Sequence, residues 1–354
     1  MKEKKLLIAL IVGLFLINVA SVAYTTSRIH NLQNKYTALE RKLSVMRESY
    51  YPLLVKDALG RVVTISSEPM RIVSGAPSIT EILFAIGAGE KVVGVDKYSD
   101  YPKELSALKE NGKIVTVGGV TTLEPERVAA LRPDLVLIDA SLQSKFVPAL
   151  EELGLTVIAV ESKSVADILK NIQLISKVTS KLEEGAEVIE NLNNAMREVS
   201  QKVSPLPPAR VLYLCWLEPM WAVGKDTYAD NLIRIAGGEG VFSDRSGWFV
   251  VNPEEVVSAR PSIIVVSSMA LPKSPEELLS YLKSQPGFEQ LDAIKDNRVY
   301  ILTGQAANLL ERPGPRVADA VFLLGCILHP EAFHVSLPNF ISEYTCYVEK
   351  IRCG

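Results

Sequence analysis

An internal repeat is the feature that most constrains how this chain can fold. Residues 122–138 match residues 250–266 in order, and the shared proline, glutamate and arginine positions are offset by 128 residues. In each copy a Pro-Glu step opens a short helical run, and an Arg-Pro step precedes an apolar run typical of a buried strand. Two copies of one α/β unit predict two similar lobes. The matched pairs are Pro125 and Pro253, Glu126 and Glu254, Arg132 and Arg260, and Pro133 and Pro261.

A long amphipathic stretch between the two copies predicts one helix joining the lobes. It runs from Lys181 to Val203 and ends before Pro205, because proline cannot continue a helix. At about 1.5 Å per residue it would span roughly 35 Å, about one domain diameter. Two Ser-x-x-Glu patterns predict capping boxes, one at the start of this helix and one in the first lobe. These patterns are Ser180–Glu183 and Ser78–Glu81.

The N-terminal segment predicts attachment to a membrane. Residues 1–5 carry three lysines and precede an apolar stretch, residues 6–24, so we expect a cytoplasmic N-terminus. The length of this stretch lies between that of a signal peptide and that of a full membrane span. Small residues before Ala23 would also permit cleavage there. The segment is therefore expected to be a membrane anchor or signal segment, and we favour an uncleaved anchor.

Residues 25–51 predict a helical, coiled-coil-like stalk. Apolar residues recur there at alternating spacings of three and four, the pattern of a coiled-coil seam. An amphipathic helix packed on its own domain would show the same spacing, so both interpretations stay open. The seam residues are Ile29, Leu32, Tyr36, Leu39, Leu43, Met46 and Tyr50.

Composition and motifs argue against nucleic-acid binding and give no support for catalysis. The chain has 38 basic and 41 acidic side chains, so it lacks the positive charge of a nucleic-acid binder. Its three histidines leave little room for a histidine-ligated metal, and no catalytic or metal site is predicted. The glycines at 87 and 237 follow helices rather than strands, so they predict helix ends and not dinucleotide loops. No intrinsic cofactor is expected.

The four cysteines give a weak signal. Cys346 and Cys353 lie close together in the C-terminal tail and could pair. Cys215 lies in a predicted strand and Cys326 in an apolar helix, so both are expected to be buried free thiols.

The aromatic residues point to a ligand site. Trp216, Trp221 and Trp248 fall within one short stretch at the start of the second lobe. Ligands of open α/β sheets bind beyond the carboxyl ends of the strands, where aromatics suit a bulky planar or apolar ligand. Trp221 and Trp248 are flanked by loop residues and are predicted to contact ligand, whereas core packing is the preferred interpretation for Trp216. Tyr98 and Tyr101 follow a strand of the first lobe.

Glu126 and Glu254 form a pair related by the repeat. Each is the second residue of a helix that proline initiates, so both should lie at equivalent surface points of the two lobes. The helix dipole alone favours an acid there. A partner protein with twofold symmetry, whose arginines bind one glutamate on each lobe, would favour the same residues. The residues themselves leave these two explanations evenly balanced.

Several further motifs are spread along the chain, namely Asp57–Val62, Arg71–Val73, Ala76–Glu81, Val93–Asp96, Arg132–Asp134, Ala236–Glu239 and Val299–Tyr300. Together they resemble one known family, the substrate-binding proteins of ABC importers for metal chelates, which take up cobalamin, iron–siderophores and haem. The resemblance covers roughly residues 54–329 and implies two Rossmann-like lobes joined by a single long helix. The expected organisation is a cytoplasmic end (1–5), anchor (6–24), stalk (25–51), N-terminal lobe (52–164), helical linker (165–208), C-terminal lobe (209–330) and tail (331–354).

The cobalamin-binding members of the family are the most similar. By resemblance, Tyr98, Trp221 and Trp248 would contact the ligand, and Arg312 would be a ligand-side arginine. Glu126 and Glu254 would be the two glutamates that dock onto the permease. The first-lobe tryptophan of the cobalamin pattern is absent, because residues 118–121 hold no aromatic, and Asp139 replaces a second aromatic. The same loop lacks the tyrosine with which haem-binding relatives ligate iron.

The expected function is that of an extracytoplasmic receptor, fixed to the cell membrane by its N-terminal helix. It would capture a cobalt corrinoid and deliver it to an ABC permease with its ATPase subunits. The alternatives are an iron–siderophore or haem receptor of the same architecture and, from another class, a chelate-modifying enzyme or a stalked signalling receptor.

Overall fold

The computed structural model describes residues 21–22, 24–37, 39, 50–267 and 274–344. The chain divides into two compact units, residues 1–53 and residues 54–354. In the first unit, residues 24–37 form a helix (α1) whose predicted seam residues Ile29, Leu32 and Tyr36 are exposed. None of the helices in the described ranges has both the length and the apolar character needed to cross a membrane. Almost all of the predicted anchor, residues 6–24, lies outside those ranges.

The first half of the second unit contains a hairpin followed by an α/β lobe. Its strands are β1 (Leu53–Lys56), β2 (Val62–Ile65), β3 (Ile72–Ser74), β4 (Val92–Val95), β5 (Val115–Thr116), β6 (Gly118–Gly119), β7 (Thr122–Leu123), β8 (Leu135–Asp139) and β9 (Val157–Val160). Its helices are α2 (Pro77–Ala85), α3 (Glu104–Glu110), α4 (Pro125–Ala130), α5 (Ala140–Gln143), α6 (Val147–Glu152), α7 (Val165–Val178) and α8 (Leu182–Val203).

The second half repeats the alternation of strands and helices. Its strands are β10 (Ala209–Leu217), β11 (Met220–Val223), β12 (Gly238–Gly240), β13 (Trp248–Val250), β14 (Ile263–Ser267), β15 (Val299–Leu302) and β16 (Phe340–Ile341). Its helices are α9 (Tyr228–Ile235), α10 (Pro253–Ala259), α11 (Pro275–Lys283), α12 (Asp292–Lys295), α13 (Gly304–Glu311), α14 (Val317–Leu328) and α15 (Pro330–Phe333).

Each lobe is built on its own sheet. The first sheet has the order β5-β4-β3-β8-β9, and all of its strands are parallel. The second has the order β13-β11-β10-β14-β15-β16, with β12 also paired to β10. Its β11 and β13 run antiparallel to their neighbours, whereas β10, β14, β15 and β16 are mutually parallel. Buried apolar strands in both lobes agree with the α/β prediction.

The repeat recurs in the backbone of the two lobes. Arg132 and Arg260 follow α4 and α10, and both adopt the left-handed conformation, with φ of 47° and 46°. Arg71 and Arg210 then brace these turns, because each places Nη2 2.7 Å from a carbonyl oxygen at the end of the preceding helix. The sequence repeat is therefore also a structural repeat, because each lobe has the same left-handed turn and the same arginine hydrogen bond to it.

The long helix between the copies is present, but its predicted cap is not. The helix α8 begins at Leu182, and its N-cap residue Lys181 makes no side-chain capping bond. Ser180 adopts a positive φ of 60°, which takes it out of the geometry of an N-cap. The helix continues to Val203, as predicted, and packs against α7 and α14.

The capping box predicted for the first lobe is also wrong. The helix α2 begins at Pro77, two residues earlier than a Ser78 cap would require, and its N-cap residue Ala76 makes no side-chain capping bond. Glu81 is 2% exposed and has a partner in the other lobe. A short-range pattern cannot reveal a partner 235 residues away. Capping boxes form instead at Asn252 and Ser274.

Candidate functional site

The three tryptophans lie side by side at one edge of the second sheet. Trp216 in β10 pairs with Trp221 in β11, and Val223 in β11 pairs with Trp248 in β13. Paired residues share a face and alternate residues of a strand return to it, so the three indoles lie on the face opposite Ala222. Ala222 belongs to the core of the lobe. The indoles are 37–46% exposed and form one aromatic face, defined by Trp216, Trp221 and Trp248.

Two sequence-based expectations about these tryptophans are wrong. Trp216 was expected in the core, yet it is as exposed as Trp221, and its indole N–H donates to the Glu218 carbonyl at 2.8 Å. The reason is that the register of β10 against β11 shifts between Leu214 and Trp216, which turns Trp216 to the face of Trp221 instead of the core face of Leu214. Trp221 and Trp248 were expected in loops but lie in strands β11 and β13. Both side chains are exposed, and their contact with a ligand remains a prediction.

A buried polar cluster lies behind Trp248. The ring of Tyr213 contacts Trp248 edge-on at 6.3 Å between centroids. Nearby, the Ser267 hydroxyl donates to Glu311 Oε1, while Glu311 Oε2 has no hydrogen-bond partner within the described residues. Burial raises the pKa of Glu311 to about 7, although the Ser267 bond and the charge of Arg312 oppose the rise. Trp248 therefore packs against a tyrosine that lies near a buried carboxyl group of raised pKa.

Tyr98 belongs to a loop that follows β4 in the first lobe. Its side chain is 52% exposed, with the Lys97 ammonium 4.7 Å from the ring centroid. The buried Asp96 carboxylate holds the loop by accepting from the Tyr98 backbone N–H at 2.8 Å and from the Ser99 hydroxyl. Burial raises the pKa of Asp96, and these bonds oppose the rise. The Tyr98 ring is thus exposed, while hydrogen bonds to Asp96 hold the backbone of its loop.

A glycine hairpin lies beside Tyr98 where the cobalamin pattern has a tryptophan. A Cβ atom on Gly119 would lie 3.6 Å from the Tyr98 ring and 2.8 Å from Thr122 Oγ1. Gly118 has a φ of +103°, and a Cβ atom there would lie 2.4 Å from the Thr122 carbonyl oxygen. The hairpin β6–β7 therefore accepts only glycine at Gly118, and Tyr98 packs close to its backbone.

Arg312 lies where the two lobes meet. Its Nη1 atom is 2.5 Å from Oδ1 of Asp100, two residues after Tyr98, and 3.8 Å from Oε1 of Glu81. The side chain of Arg312 is 13% exposed, so the guanidinium is partly accessible. The structure thus brings the Tyr98 loop of the first lobe against an arginine whose neighbour, Glu311, lies behind the aromatic face.

Sequence reasoning missed a second ion pair between the lobes. Arg316 Nε and Nη2 donate to the two carboxylate oxygens of Glu81 at 2.9 and 2.6 Å, and the side chains are 6% and 1% exposed. The Arg316 guanidinium lies 4.2 Å from the Tyr101 ring centroid and donates to Gln305 at 2.7 Å. Burial raises the pKa of Glu81, and the charge of Arg316 opposes the rise. A buried bidentate pair of this kind fixes the mutual position of the lobes.

Glu126 and Glu254 occupy the equivalent positions that the repeat predicts. Each lies in the first turn of a helix that begins with proline, α4 or α10, and each side chain is exposed. The next residue, Glu255, is engaged locally, because it caps α10 through Asn252 and pairs with Arg245 at 2.5 Å. The two exposed acids therefore lie at matched points of the two lobes.

The cysteine and metal predictions can be compared only with the described part of the chain. Cys326 is buried in α14 and Cys215 is partly buried in β10, and both are free thiols. The predicted pair Cys346–Cys353 lies outside the described residues. Across residues 50–267 and 274–344, no group of histidine, cysteine, aspartate and glutamate is arranged to hold a metal ion.

Residues 72–306 of this chain match the family described as periplasmic binding protein. One similar protein is the uncharacterized ABC transporter substrate-binding lipoprotein YvrC of Bacillus subtilis (strain 168), which is 28% identical, with 80% of this chain and 87% of the relative covered. A vitamin B12-binding protein of Vibrio parahaemolyticus is 27% identical, with 73% and 90% covered.

A solved structure shows the same similarity in three dimensions. The periplasmic heme-binding protein RhuT from Roseiflexus sp. RS-1, in its apo form, is 25% identical and superimposes with a TM-score of 0.62. The superposition covers 74% of this chain and 98% of that one. The family and all three of these relatives are described as binding proteins, so this chain is a binding protein and not an enzyme. With most of both lobes matched by one family, the chain belongs to the periplasmic binding proteins.

Proposed function

We propose that this protein is the extracytoplasmic receptor of an ABC importer and that it captures a metal chelate, with a corrinoid as the preferred ligand. The observation that carries the proposal is the aromatic face of half-exposed tryptophans. The relative named as a vitamin B12-binding protein supports the choice of a corrinoid.

The chemistry of the site suits a large, flat ligand with a polar periphery. Trp221, Trp248 and Tyr98 offer aromatic surface, and Trp216 extends it. Partly exposed indoles gain contact area when a ligand covers them, and this burial stabilises the complex. Arg312 supplies guanidinium N–H donors for carbonyl groups at the edge of the ligand. The metal enters and leaves inside its chelate, so the receptor needs no resident cofactor.

Delivery would use the two exposed glutamates. Glu126 and Glu254 would engage arginines of the permease, where charge-assisted bonds are strong and directional. ATP hydrolysis would belong to the ATPase subunits, and the N-terminal segment would hold the receptor at the outer side of the cell membrane. The relative described as a substrate-binding lipoprotein supports an extracytoplasmic binding domain.

An iron–siderophore or haem ligand is the alternative within the same architecture. The similarity to a heme-binding protein favours haem, because a porphyrin is also flat and large. The glycine hairpin of residues 118–121 presents no side chain able to ligate iron, which favours the corrinoid.

A titration of the full-length protein in detergent tests the ligand. Cobinamide, cobalamin, haem and a ferric siderophore would each be added and binding followed by visible absorbance and calorimetry. We expect corrinoid binding at or below the micromolar range. Trp248→Ala should weaken it about tenfold or more, since each lost aromatic contact is worth about 1 kcal/mol beyond the lost area. Tyr36→Ala, which removes an exposed aromatic of α1, is the control. Tight binding of a siderophore without any binding of a corrinoid would contradict the proposed ligand.

A further inference from the structure

We propose that Asp100 sets the charge preference of the receptor. Its carboxylate neutralises Arg312, so the site accepts chelates that are neutral or cationic and discriminates against chelates with several negative charges. This inference rests on the proposed function, since it assumes that the region around Tyr98 and Arg312 holds the chelate.

The first argument is the geometry of the pair. Asp100 Oδ1 lies 2.5 Å from Arg312 Nη1, and the other oxygen, Oδ2, accepts from Gln305 at 3.4 Å. Gln305 in turn accepts from Arg316 at 2.7 Å. The carboxylate is therefore held between groups of the other lobe, although Asp100 belongs to a loop of the first lobe. It remains 46% exposed, so a bound ligand would meet its charge.

The second argument is the balance of charge in this region. Arg316 is already neutralised by its bidentate pair with Glu81, and Arg312 has Asp100 at contact distance and Glu81 at 3.8 Å. Glu311, whose pKa of about 7 leaves it partly ionised at neutral pH, adds negative charge behind Arg312. The two arginines are thus offset by at least as many carboxyl groups.

Lysines do not reverse this balance. The Lys109 ammonium donates to the carbonyl oxygen of Ser99 at 2.8 Å, which engages it beneath the Tyr98 loop. Lys97 lies over the Tyr98 ring and contributes one positive charge at the rim. A single exposed lysine does not compensate a chelate that carries three negative charges.

The consequence for ligand choice follows from electrostatics. A polyanionic chelate would have to displace Asp100 from Arg312 or lie beside the carboxylate, and both cost free energy. A neutral chelate can leave the ion pair intact, because a guanidinium has five N–H donors and Asp100 occupies only part of them. Specificity of this kind comes from repulsion of the wrong ligand, with Asp100 as the repulsive group.

Two ferric chelates of similar size and different charge test the inference in the full-length protein. The probes are a neutral ferric tris-hydroxamate and a ferric tris-catecholate with three negative charges, together with cobinamide. The wild type should bind the tris-catecholate most weakly. Asp100→Asn should raise affinity for the tris-catecholate about tenfold or more at low salt, with a smaller gain at high salt, and change affinity for the neutral probes by less than about threefold.

Two further variants identify the source of the effect. Glu104→Gln makes the same change of charge at an exposed position nearby in α3 and should leave the preference unchanged. Adding Arg312→Gln to Asp100→Asn should cancel the gain, because the freed guanidinium is then absent. An unchanged tris-catecholate affinity in Asp100→Asn, or a wild type that prefers the tris-catecholate, overturns the inference.

The test separates this inference from the proposed ligand. If the wild type binds the neutral tris-hydroxamate and not cobinamide, the corrinoid proposal fails while the charge preference stands. If cobinamide binds but Asp100→Asn gains nothing for the tris-catecholate, the charge preference fails and the corrinoid proposal stands.

Discussion

Glu311 is a carboxyl group whose surroundings favour its protonated form. It lies behind Trp248, bonded to the Ser267 hydroxyl, and burial raises its pKa to about 7 from an ordinary 4.5. The folded protein therefore keeps a proton between about pH 4.5 and 7 that the unfolded chain has lost. The free energy of unfolding therefore falls as the pH rises through this window. Above pH 7 the total loss is on the order of 3 kcal/mol, because Glu311 must then ionise while buried.

Glu311→Gln should remove this dependence on pH. The amide mimics the protonated acid, so the variant should match the wild type near pH 5 and be more stable than it near pH 8, by up to about 3 kcal/mol. Urea unfolding at both pH values measures the difference. Glu289→Gln, at an exposed position, is the control and should follow the wild type. If the free energy of unfolding depends on pH in the same way in the wild type and in Glu311→Gln, then the pKa of Glu311 is not raised by folding and the prediction fails.

Single residues also show where sequence reasoning reaches its limit. Clustering drew attention to Trp221 and Trp248, and both side chains are exposed in the structure. Trp216 was misjudged because its exposure depends on the register shift between Leu214 and Trp216, which strict alternation along a strand does not predict. Glu81 was misjudged because its partner, Arg316, is distant in sequence. The roles of Tyr98, Arg312 and the tryptophans in binding remain predictions.

Elements with strong local signals were predicted well. The apolar runs after the two Arg-Pro steps form β8 and β14, α4 begins at Pro125, and α8 ends at Val203, before Pro205. Buried strands and proline-initiated helices have short-range causes, namely continuous apolar runs and the fixed φ of proline. The packing of α8 also depends on a close approach to α7 at Gly185, which the spacing of apolar residues does not predict. A Cβ atom on Gly185 would lie 1.9 Å from Ser176 Oγ in α7.

Gly185→Ala should therefore destabilise the protein, although alanine is the better helix former. The propensity gain of about 1 kcal/mol is opposed by a clash with a buried hydroxyl that already donates to the Ile172 carbonyl. We expect a net loss of about 1–2 kcal/mol, typical of overpacking, measured by urea unfolding. Glu187→Ala, at an exposed position of the same helix, should be nearly neutral. A Gly185→Ala variant more stable than the wild type would show that α7 and α8 can separate at little cost.

At the scale of the whole molecule, the residues that shape the backbone turns occur in both lobes, whereas the aromatic residues of the candidate site differ between them. The Pro-Glu helix starts, the left-handed arginines and their braces occur once in each lobe. Tyr98 occurs in the first lobe and the aromatic face in the second. The predicted lobe boundaries remain predictions, as do the stalk and the anchor.

Reversing both Glu126 and Glu254 to lysine should abolish transport and leave ligand affinity unchanged. The two acids are exposed, so stability should change by no more than about 0.5 kcal/mol. Uptake of labelled cobinamide by cells with the cognate permease, compared with calorimetry on the purified variant, measures the two properties separately. Glu187→Lys with Glu198→Lys on α8 is the matched control. Transport at the wild-type rate, or lost ligand affinity, would contradict a docking role.

The asymmetry of the aromatic residues has a consequence for how such a receptor can diversify. The duplicated scaffold constrains both halves at once, because the paired turns at Arg132 and Arg260 serve the same architectural purpose. Tyr98 and Asp100 lie in the first half and the tryptophans in the second, outside the matched segments 122–138 and 250–266, so these side chains can change one at a time. A lineage could therefore exchange one cargo for another through a few unduplicated side chains while the duplicated surface stays recognisable to the same transport machinery.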